Sequence, residues 1–420
     1  MRIRIDHIAK IEGHASFTAD IVRGDVRGAK IKIEEGARLF EGILRGRRDE
    51  EMPEIVSRIC GVCPVVHNLT AFKSLENAYA LRLDESAILL RKLMMLGQII
   101  SSHSLHLFFF SLSDFFGFKT DLELINAYPE KTHDAVKIRD VGNKIVETIG
   151  GRAVHPLTPA IGGLRKIPDL DKLKQISEDC KNILPLAIKL GEFFIKLKYP
   201  DFPRKTAFVS LTNPNEYAIY EGEMKVDART MQPRDFFFQI KEFQSFDKVA
   251  KRTLFEEKTY MVGALARLHN NSEKLNPEAK KLLEKSGLKF PLYNPFYNIL
   301  AQAIELIHCL EESPGILTQI IDKFDANKKL SIEPINRSGE GIGAIEAPRG
   351  TLFYNVKIRE GIIEDLNIIT PTAQNIANLE ADLEEFEHIE GFKNLKREER
   401  ADKVKMLIRA YDPCVTCAVH

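Results

Sequence analysis

The chain has 420 residues, enough to bury a large core, and length alone does not require it to divide into separate domains. Its 60 basic side chains are balanced by 60 acidic ones. That balance removes the basic excess on which phosphate-backbone binding depends, so no nucleic-acid partner is expected. With the charges well mixed, there is also no single-sign block of the kind that forms a disordered tail.

The opening MRIRIDHIAK lacks the apolar core of a signal peptide. From Arg2 to Ile33, polar and apolar residues alternate between glycines, which predicts short antiparallel strands. Pro64 suits the first turn of a helix running through Val65 to Ala80. Ser86 to Phe110 is apolar nearly all round, the mark of a helix inside a core. The stretch Leu105 to Phe118 is broken by His, Ser and Asp, and no run is expected to reach the roughly 18 to 20 residues that span a bilayer. The expectation is therefore a soluble, cytoplasmic protein with no direct membrane span. Asp171 to Leu197 and Asn294 to Lys323 predict two more long helices, while 206–226 and 342–370 return to strand character. A last helix, Arg397 to Ala410, must end before Pro413. The fold class is α+β, predominantly helical: a long buried helix bundle with small peripheral antiparallel sheets, in one domain covering 1–420.

Six cysteines are present, and Cys180 and Cys309 fall within helical patterns (SEDCKNIL and IELIHCLEE) that read as inert packing positions. The other four form two CxxC pairs, Cys60 with Cys63 and Cys414 with Cys417, each followed within four residues by a histidine. So sparse a set suits metal or redox chemistry in a reducing compartment better than a secreted disulfide scaffold. Four thiolates would close a tetrahedral zinc site. Structural zinc motifs, however, draw their ligands from roughly a few tens of residues, whereas Cys63 and Cys414 lie 351 positions apart. A site that joins both ends of a large globule lies deep inside it, away from water, and a disulfide oxidoreductase needs only one such pair. The positive end of the helix after Pro64 favours the thiolate form of Cys60 and Cys63. Asp412-Pro413 sets a rigid turn ahead of Cys414.

Arg58-Ile-Cys60-Gly-Val-Cys63-Pro-Val-Val-His67, together with Asp412-Pro-Cys414-Val-Thr-Cys417-Ala-Val-His420, resembles the two signature motifs of nickel–iron hydrogenase large subunits. Ile8-Ala-Lys-Ile-Glu12-Gly-His14, Glu346-Ala-Pro348-Arg349-Gly350 and Ile369-Thr-Pro-Thr372-Ala-Gln-Asn375 resemble the family's other recurring segments, in the same order. The resemblance implies that fold, with an N-terminal β segment (about 1–35) and a C-terminal metal-binding segment (412–420) packed on one helical core. It implies that all four thiolates bind nickel, with Cys63 and Cys417 bridging to an iron that carries carbon monoxide and cyanide. Soft thiolates suit a redox-active late transition metal, and an open coordination position lets dihydrogen bind and split.

Further roles follow from the resemblance alone. His67 would hydrogen-bond the bridging sulfur of Cys417 and tune the metal. Glu12 would carry the proton away from Cys414, helped by a pKa that shielding raises. Arg349, beside Pro348, would hold a cyanide nitrogen with its fixed fork of donors, and Thr372 would meet the other cyanide. Asp412 would pair with Arg349 or with water. A third metal, magnesium or else iron, would take Glu41, the main-chain carbonyl near Ile368 and the imidazole of His420. The family's precursors are cleaved after this histidine once nickel is inserted, so a maturation protease and nickel chaperones are implied partners. The chain departs from the uptake enzymes at Ser101-Ser102-His103, where Ser102 replaces an aspartate. Gly150-Gly-Arg-Ala-Val-His155, Met261-Val-Gly-Ala-Leu-Ala-Arg267 and the segment from Val404 to Asp412 are most similar to the cytosolic sulfhydrogenase and nicotinamide-linked group.

The activity implied is reversible cleavage of dihydrogen to two protons and two electrons. No further cysteine cluster has ferredoxin-like spacing, so electrons must leave through a partner across an extensive apolar interface. That partner is an iron–sulfur small subunit, followed by flavin and NAD(P)-binding diaphorase subunits. Alternatives are a deazaflavin-, ferredoxin- or heterodisulfide-reductase-linked hydrogenase, a quinone-pocket respiratory subunit, and a non-catalytic zinc protein.

Overall fold

The computed structural model describes residues 2–22, 25–244, 249–325, 327–386 and 395–420. Three antiparallel strands open the chain: β1 (Arg2–Ile5), β2 (Ala15–Val22) and β3 (Asp25–Ile33). Their two-residue alternation buries Ala15, Phe17, Ala29, Ile31 and Ile33 on one face. The helices that matter for the site are α1 (Phe40–Leu44), α2 (Pro64–Ala78), α3 (Glu85–Leu105), α4 (Pro129–Gly150), α5 (Leu170–Phe194), α6 (Ala264–Asn271) and α7 (Tyr297–Asp322). A second meander follows, with β4 (Gly339–Ala347), β5 (Gly350–Arg359) and β6 (Ile362–Ile369) in antiparallel order. The chain closes with α8 (Pro371–Glu385), α9 (Arg397–Ala410) and the single turn α10 (Val415–Ala418).

Most helices expected from periodicity form within three residues of their expected bounds, and α9 matches Arg397 to Ala410 at both ends. The helix expected over Ser86 to Phe110 differs. Its α-helical part ends at Leu105, and a π-helical turn, His106–Ser111, carries the chain into Leu112–Phe116. Such a turn inserts an extra residue and rotates the following side chains, which periodicity cannot register. The continuous run Glu85–Phe116 is long and apolar enough to cross a membrane, contrary to the expected absence of any such run. However, 78 % of its apolar window is buried inside the protein, because α3 packs on α4 and α7 while α7 packs on α5. One buried apolar cluster reaches from Ile5 to Val419, so both ends of the chain join the same interior.

The placement of α2 decides where two cysteines stand. Its backbone lies directly on β4: a Cβ added at Gly341 would sit 2.2 Å from Ser74 O, and one at Gly343 would sit 2.5 Å from Thr70 O. Only bare glycine backbone allows this approach. Gly343→Ala is expected to push α2 outward at a cost of about 1–3 kcal/mol, read as a lower thermal midpoint together with weaker retention of nickel.

Candidate metal centre

Cys60 lies in the loop before α2, and Cys63 occupies the N-cap position of that helix, with Pro64 at its first turn. Cys414 stands at the N-cap of α10 and Cys417 inside it. The second of these regions is tied to the start of the chain, where Glu12, just before β2, pairs in parallel with Cys414. Glu12 N donates to Pro413 O at 3.3 Å, and Val415 N donates to Glu12 O at 2.8 Å. The four Sγ atoms lie within 4.8 Å of one another, and all four residues are buried. Cys60 and Cys414 are 3.4 Å apart at sulfur, Cys63 and Cys417 3.3 Å, and Cys414 and Cys417 2.8 Å.

Four thiols this close cannot all ionise in a dry interior without a cation. Hydrogen bonds from Cys414, Cys417 and Cys63 hold Cys60 well below the usual thiol range. Bonds from Cys414 and Cys417 also pull Cys63 down, but the bond to Cys60, burial and the Cys60 charge outweigh them, and Cys63 ends raised. Of the two cysteines expected to be lowered, Cys60 alone is, and by the neighbouring thiols rather than by the helix end. Burial raises Cys414 and Cys417 well above their ordinary value. The donor set of four sulfurs, with no carboxylate or imidazole among them, fits a soft late transition metal that would stabilise every thiolate at once.

A small pocket adjoins the sulfurs, lined by Cys63, His67, Pro348, Arg349, Thr372, Cys414 and Cys417 among others. Arg349 is buried and donates to Asp412 twice, Nε to the main-chain O at 2.7 Å and Nη2 to Oδ1 at 2.8 Å. Its Nη1 is buried with no partner among the described residues. Asp412 adopts a left-handed backbone, φ 49°, which turns the chain out of α9 and into the cysteine pair. That conformation costs of order 1 kcal/mol for a residue with a Cβ. It is held by Arg349 and by Gln302 Nε2, which donates to Asp412 Oδ2 at 3.0 Å. Thr372 Oγ1 accepts from Cys414 N at 3.0 Å, leaving its hydroxyl proton unassigned to that bond. His67 Nε2 is 3.5 Å from Cys417 Sγ, and its Nδ1 is 2.7 Å from Tyr354 Oη. Burial lowers the His67 pKa to about 3, so the ring is neutral, with Nδ1 toward the Tyr354 hydroxyl and Nε2 toward the Cys417 sulfur.

Glu12 accepts from the Cys414 thiol at 2.9 Å and from Thr416 Oγ1 at 2.6 Å. Burial raises its pKa, and the charge of Cys60 raises it further. Glu41, Ile368 and His420 are also brought together, with His420 Nε2 2.9 Å from Ile368 O and 3.6 Å from Glu41 Oε1. Burial opposes ionisation of Glu41, but His420, Lys251 and the Ile368 N–H outweigh it and hold the pKa at about 2. Ser102 Oγ is buried without a partner among the described residues, so the missing aspartate has no replacement there. Cys180 and Cys309 are buried apart from the centre, and burial raises both thiols.

The family model for nickel-dependent hydrogenases matches residues 38–137 and 210–420. The chain belongs to the nickel-dependent hydrogenase family. Sulfhydrogenase 1 subunit alpha of Pyrococcus furiosus is 33 % identical over all of this chain and 97 % of its own length. Sulfhydrogenase 2 subunit alpha of the same organism is 31 % identical, over all of this chain and 99 % of its own. Among solved structures, an NAD+-reducing [NiFe]-hydrogenase in the H2-reduced state superposes with a TM-score of 0.86 at 25 % identity, covering 100 % of this chain and 99 % of that one. The [NiFeSe]-hydrogenase of Dm. baculatum shares the fold, with a TM-score of 0.78 over the whole of both chains at 23 % identity.

As a hydrogenase catalytic subunit, the chain also uses residues that no motif marked. Tyr354 orients His67, and Gln302 braces Asp412 while meeting His106 Nδ1 at 2.6 Å. Lys251 contacts Glu41 Oε1 at 3.2 Å, Asn367 Oδ1 at 3.3 Å and Glu242 Oε1 at 3.3 Å. The sequence signal was faint: a polar residue such as Gln302 or His106 inside an apolar helical run. Tyr354→Phe is expected to keep the fold and the nickel while lowering H2/D2O exchange about 10-fold or more, since it frees the His67 ring. Wild-type exchange per nickel in that variant would dismiss Tyr354 as an orienting group.

Proposed function

We propose that this hydrogenase subunit splits dihydrogen at a nickel–iron pair held by Cys60, Cys63, Cys414 and Cys417, within one domain covering 1–420. The observation that carries this reading is the convergence of four sulfurs within 4.8 Å beside Glu12. All four thiolates would hold nickel, with Cys63 and Cys417 shared with iron. The pocket beside the sulfurs is lined by Cys63, Cys414 and Cys417. Carbon monoxide and cyanide on the iron would lie in that pocket, where the free Nη1 of Arg349 and the Thr372 hydroxyl are the available donors and Pro348 closes one wall. Bound there, the two metals would supply a Lewis-acidic, redox-active centre that polarises dihydrogen and takes up its electrons.

The chain's own residues then handle the proton. Cys414 Sγ receives it and donates to Glu12 Oε2 across 2.9 Å. Thr416 fixes that carboxylate through both oxygens at 2.6 Å, so the acceptor does not swing away between turnovers. A carboxylate with a raised pKa takes and gives a proton more readily near neutrality than an ordinary one. His67 steadies Cys417, and Asp412 keeps Arg349 charged and facing the pocket. Glu41, Ile368 O and His420 would hold magnesium or iron, with Lys251 and Glu242 close by to bond its waters.

Electrons would pass to an iron–sulfur small subunit and on to a flavin and NAD(P)-binding module in the cytoplasm. The supporting facts are that Cys180 and Cys309 are single buried thiols, unable to hold a cluster, and that one solved relative is described as NAD+-reducing. Metal analysis of the purified complex is expected to give nickel and iron near one each, with infrared bands from metal-bound carbonyl and cyanide. Zinc alone would overturn the assignment. Cys414→Ser is expected to abolish nickel binding. Glu12→Gln is expected to retain both metals but to lower H2/D2O exchange by about 10²–10⁴-fold; unchanged exchange would remove Glu12 from the proton path.

A further inference from the structure

We propose that Arg267 is a positioning residue of the centre: its guanidinium fixes the Ala347–Pro348–Arg349 backbone and so sets where the free Nη1 of Arg349 points. This deepens the role given to Arg349 above and rests on it.

Arg267, on α6, is 0 % exposed, and all five of its N–H donors have acceptors. Nε and Nη2 grip Glu305 Oε1 and Oε2, each at 2.7 Å. Nη1 donates to Glu346 Oε2 at 2.9 Å and to Ala347 O at 2.8 Å, and Nη2 donates its second proton to Pro348 O at 3.0 Å. Those two carbonyls belong to the peptides immediately ahead of Arg349. The carboxylates are themselves held. Glu305 accepts from Tyr217 Oη at 2.6 Å and from His103 Nε2 at 2.8 Å. Glu346 accepts from Thr351 Oγ1 at 2.6 Å and from Leu211 N at 2.7 Å. A planar five-donor fork spans this set; a lysine ammonium, with three donors on one nitrogen, cannot.

The chain just before α6 is pressed against the same turn. Gly263 has φ 117°, and a Cβ there would lie 3.1 Å from Arg349 O. Gly350 has φ 132°, and a Cβ there would lie 2.4 Å from Val262 Cγ2. Val262 exchanges two hydrogen bonds with the side chain of Asn375, one turn along α8 from Thr372. Leu265 N donates to Asn298 Oδ1, whose Nδ2 donates to Ala410 O, two residues before Asp412. The short segment 262–267 therefore braces the backbones that present Arg349, Thr372 and Asp412 together. Arg267 does not line the pocket, so it acts through Arg349.

The test uses Arg267→Lys in the purified holoenzyme complex, with nickel and iron content, infrared bands and H2/D2O exchange per nickel as readouts. The expected result is near-normal metal content, displaced diatomic bands and exchange lowered about 10–100-fold, the scale of a misplacement of about 1 Å. Arg91→Lys is the control. Arg91 is equally buried, pairs bidentately with Glu76 and holds the Ala160 and Gly163 carbonyls, away from the centre. It should lower the thermal midpoint while leaving bands and exchange per nickel unchanged. Unmoved bands with exchange within twofold of wild type in Arg267→Lys would overturn the proposal. If that variant fails to load metal, Glu305→Gln is read instead: a smaller displacement supports the proposal, and wild-type bands and exchange overturn it. If the wild-type complex shows no diatomic bands, the role given to Arg349 falls, and exchange per nickel alone then decides for or against Arg267.

Discussion

Everything in the centre depends on a short parallel pairing between Glu12 and Cys414, two segments 402 residues apart. Two backbone hydrogen bonds make it, and the side chains then meet: a carboxylate, four thiols and a threonine hydroxyl in one dry place. Backbone bonds of this kind contribute about 1 kcal/mol each, too little to gather so much buried polarity unaided. The apolar cluster running from Ile5 to Val419 supplies the remainder by burying both segments against the same interior. A bound cation would complete the balance by letting every thiol ionise, since Cys63 is raised mainly by Cys60, and Cys414 and Cys417 by burial.

Around the sulfurs, the protein has buried several full charges. Arg349 with Asp412, and Arg267 with Glu305 and Glu346, are all at most a few per cent exposed. Ion pairs in such places add little net stability, since removing both charges from water offsets their attraction. Their value lies in direction. Each carboxylate and guanidinium has a fixed set of partners, so the donors that face the pocket cannot rotate. Losing one partner leaves another charge buried and unmatched, which makes the arrangement all-or-none.

The third cluster follows a different rule. Glu41, Lys251, Glu242 and Asn367 are only partly buried, and the carboxylate stays ionised because cations and a backbone N–H face it. The carboxylate and carbonyl oxygens of the proposed third site would suit a hard cation, as the four sulfurs suit a soft one.

Read alone, the sequence determined the elements whose cause is local. Pro64 and Pro413 mark where a helix starts and stops, the alternation of residues 15–33 makes strands, and each CxxC lies close to its histidine along the chain. The motif order was also enough to bring Cys60, Cys63, Cys414, Cys417, Glu12, His67, Arg349, Thr372 and Asp412 onto one list. Tertiary structure decided which groups hold them: Tyr354 behind His67, Gln302 behind Asp412, Lys251 beside Glu41, and Arg267 behind Pro348. It also decided the π-helical turn that places His106 against Gln302. These partners sit on separate helices and strands, in positions where periodicity specifies only that a residue is buried. Whether a buried polar side chain finds its counterpart depends on how elements distant in sequence cross, and spacing along one element carries no record of that crossing.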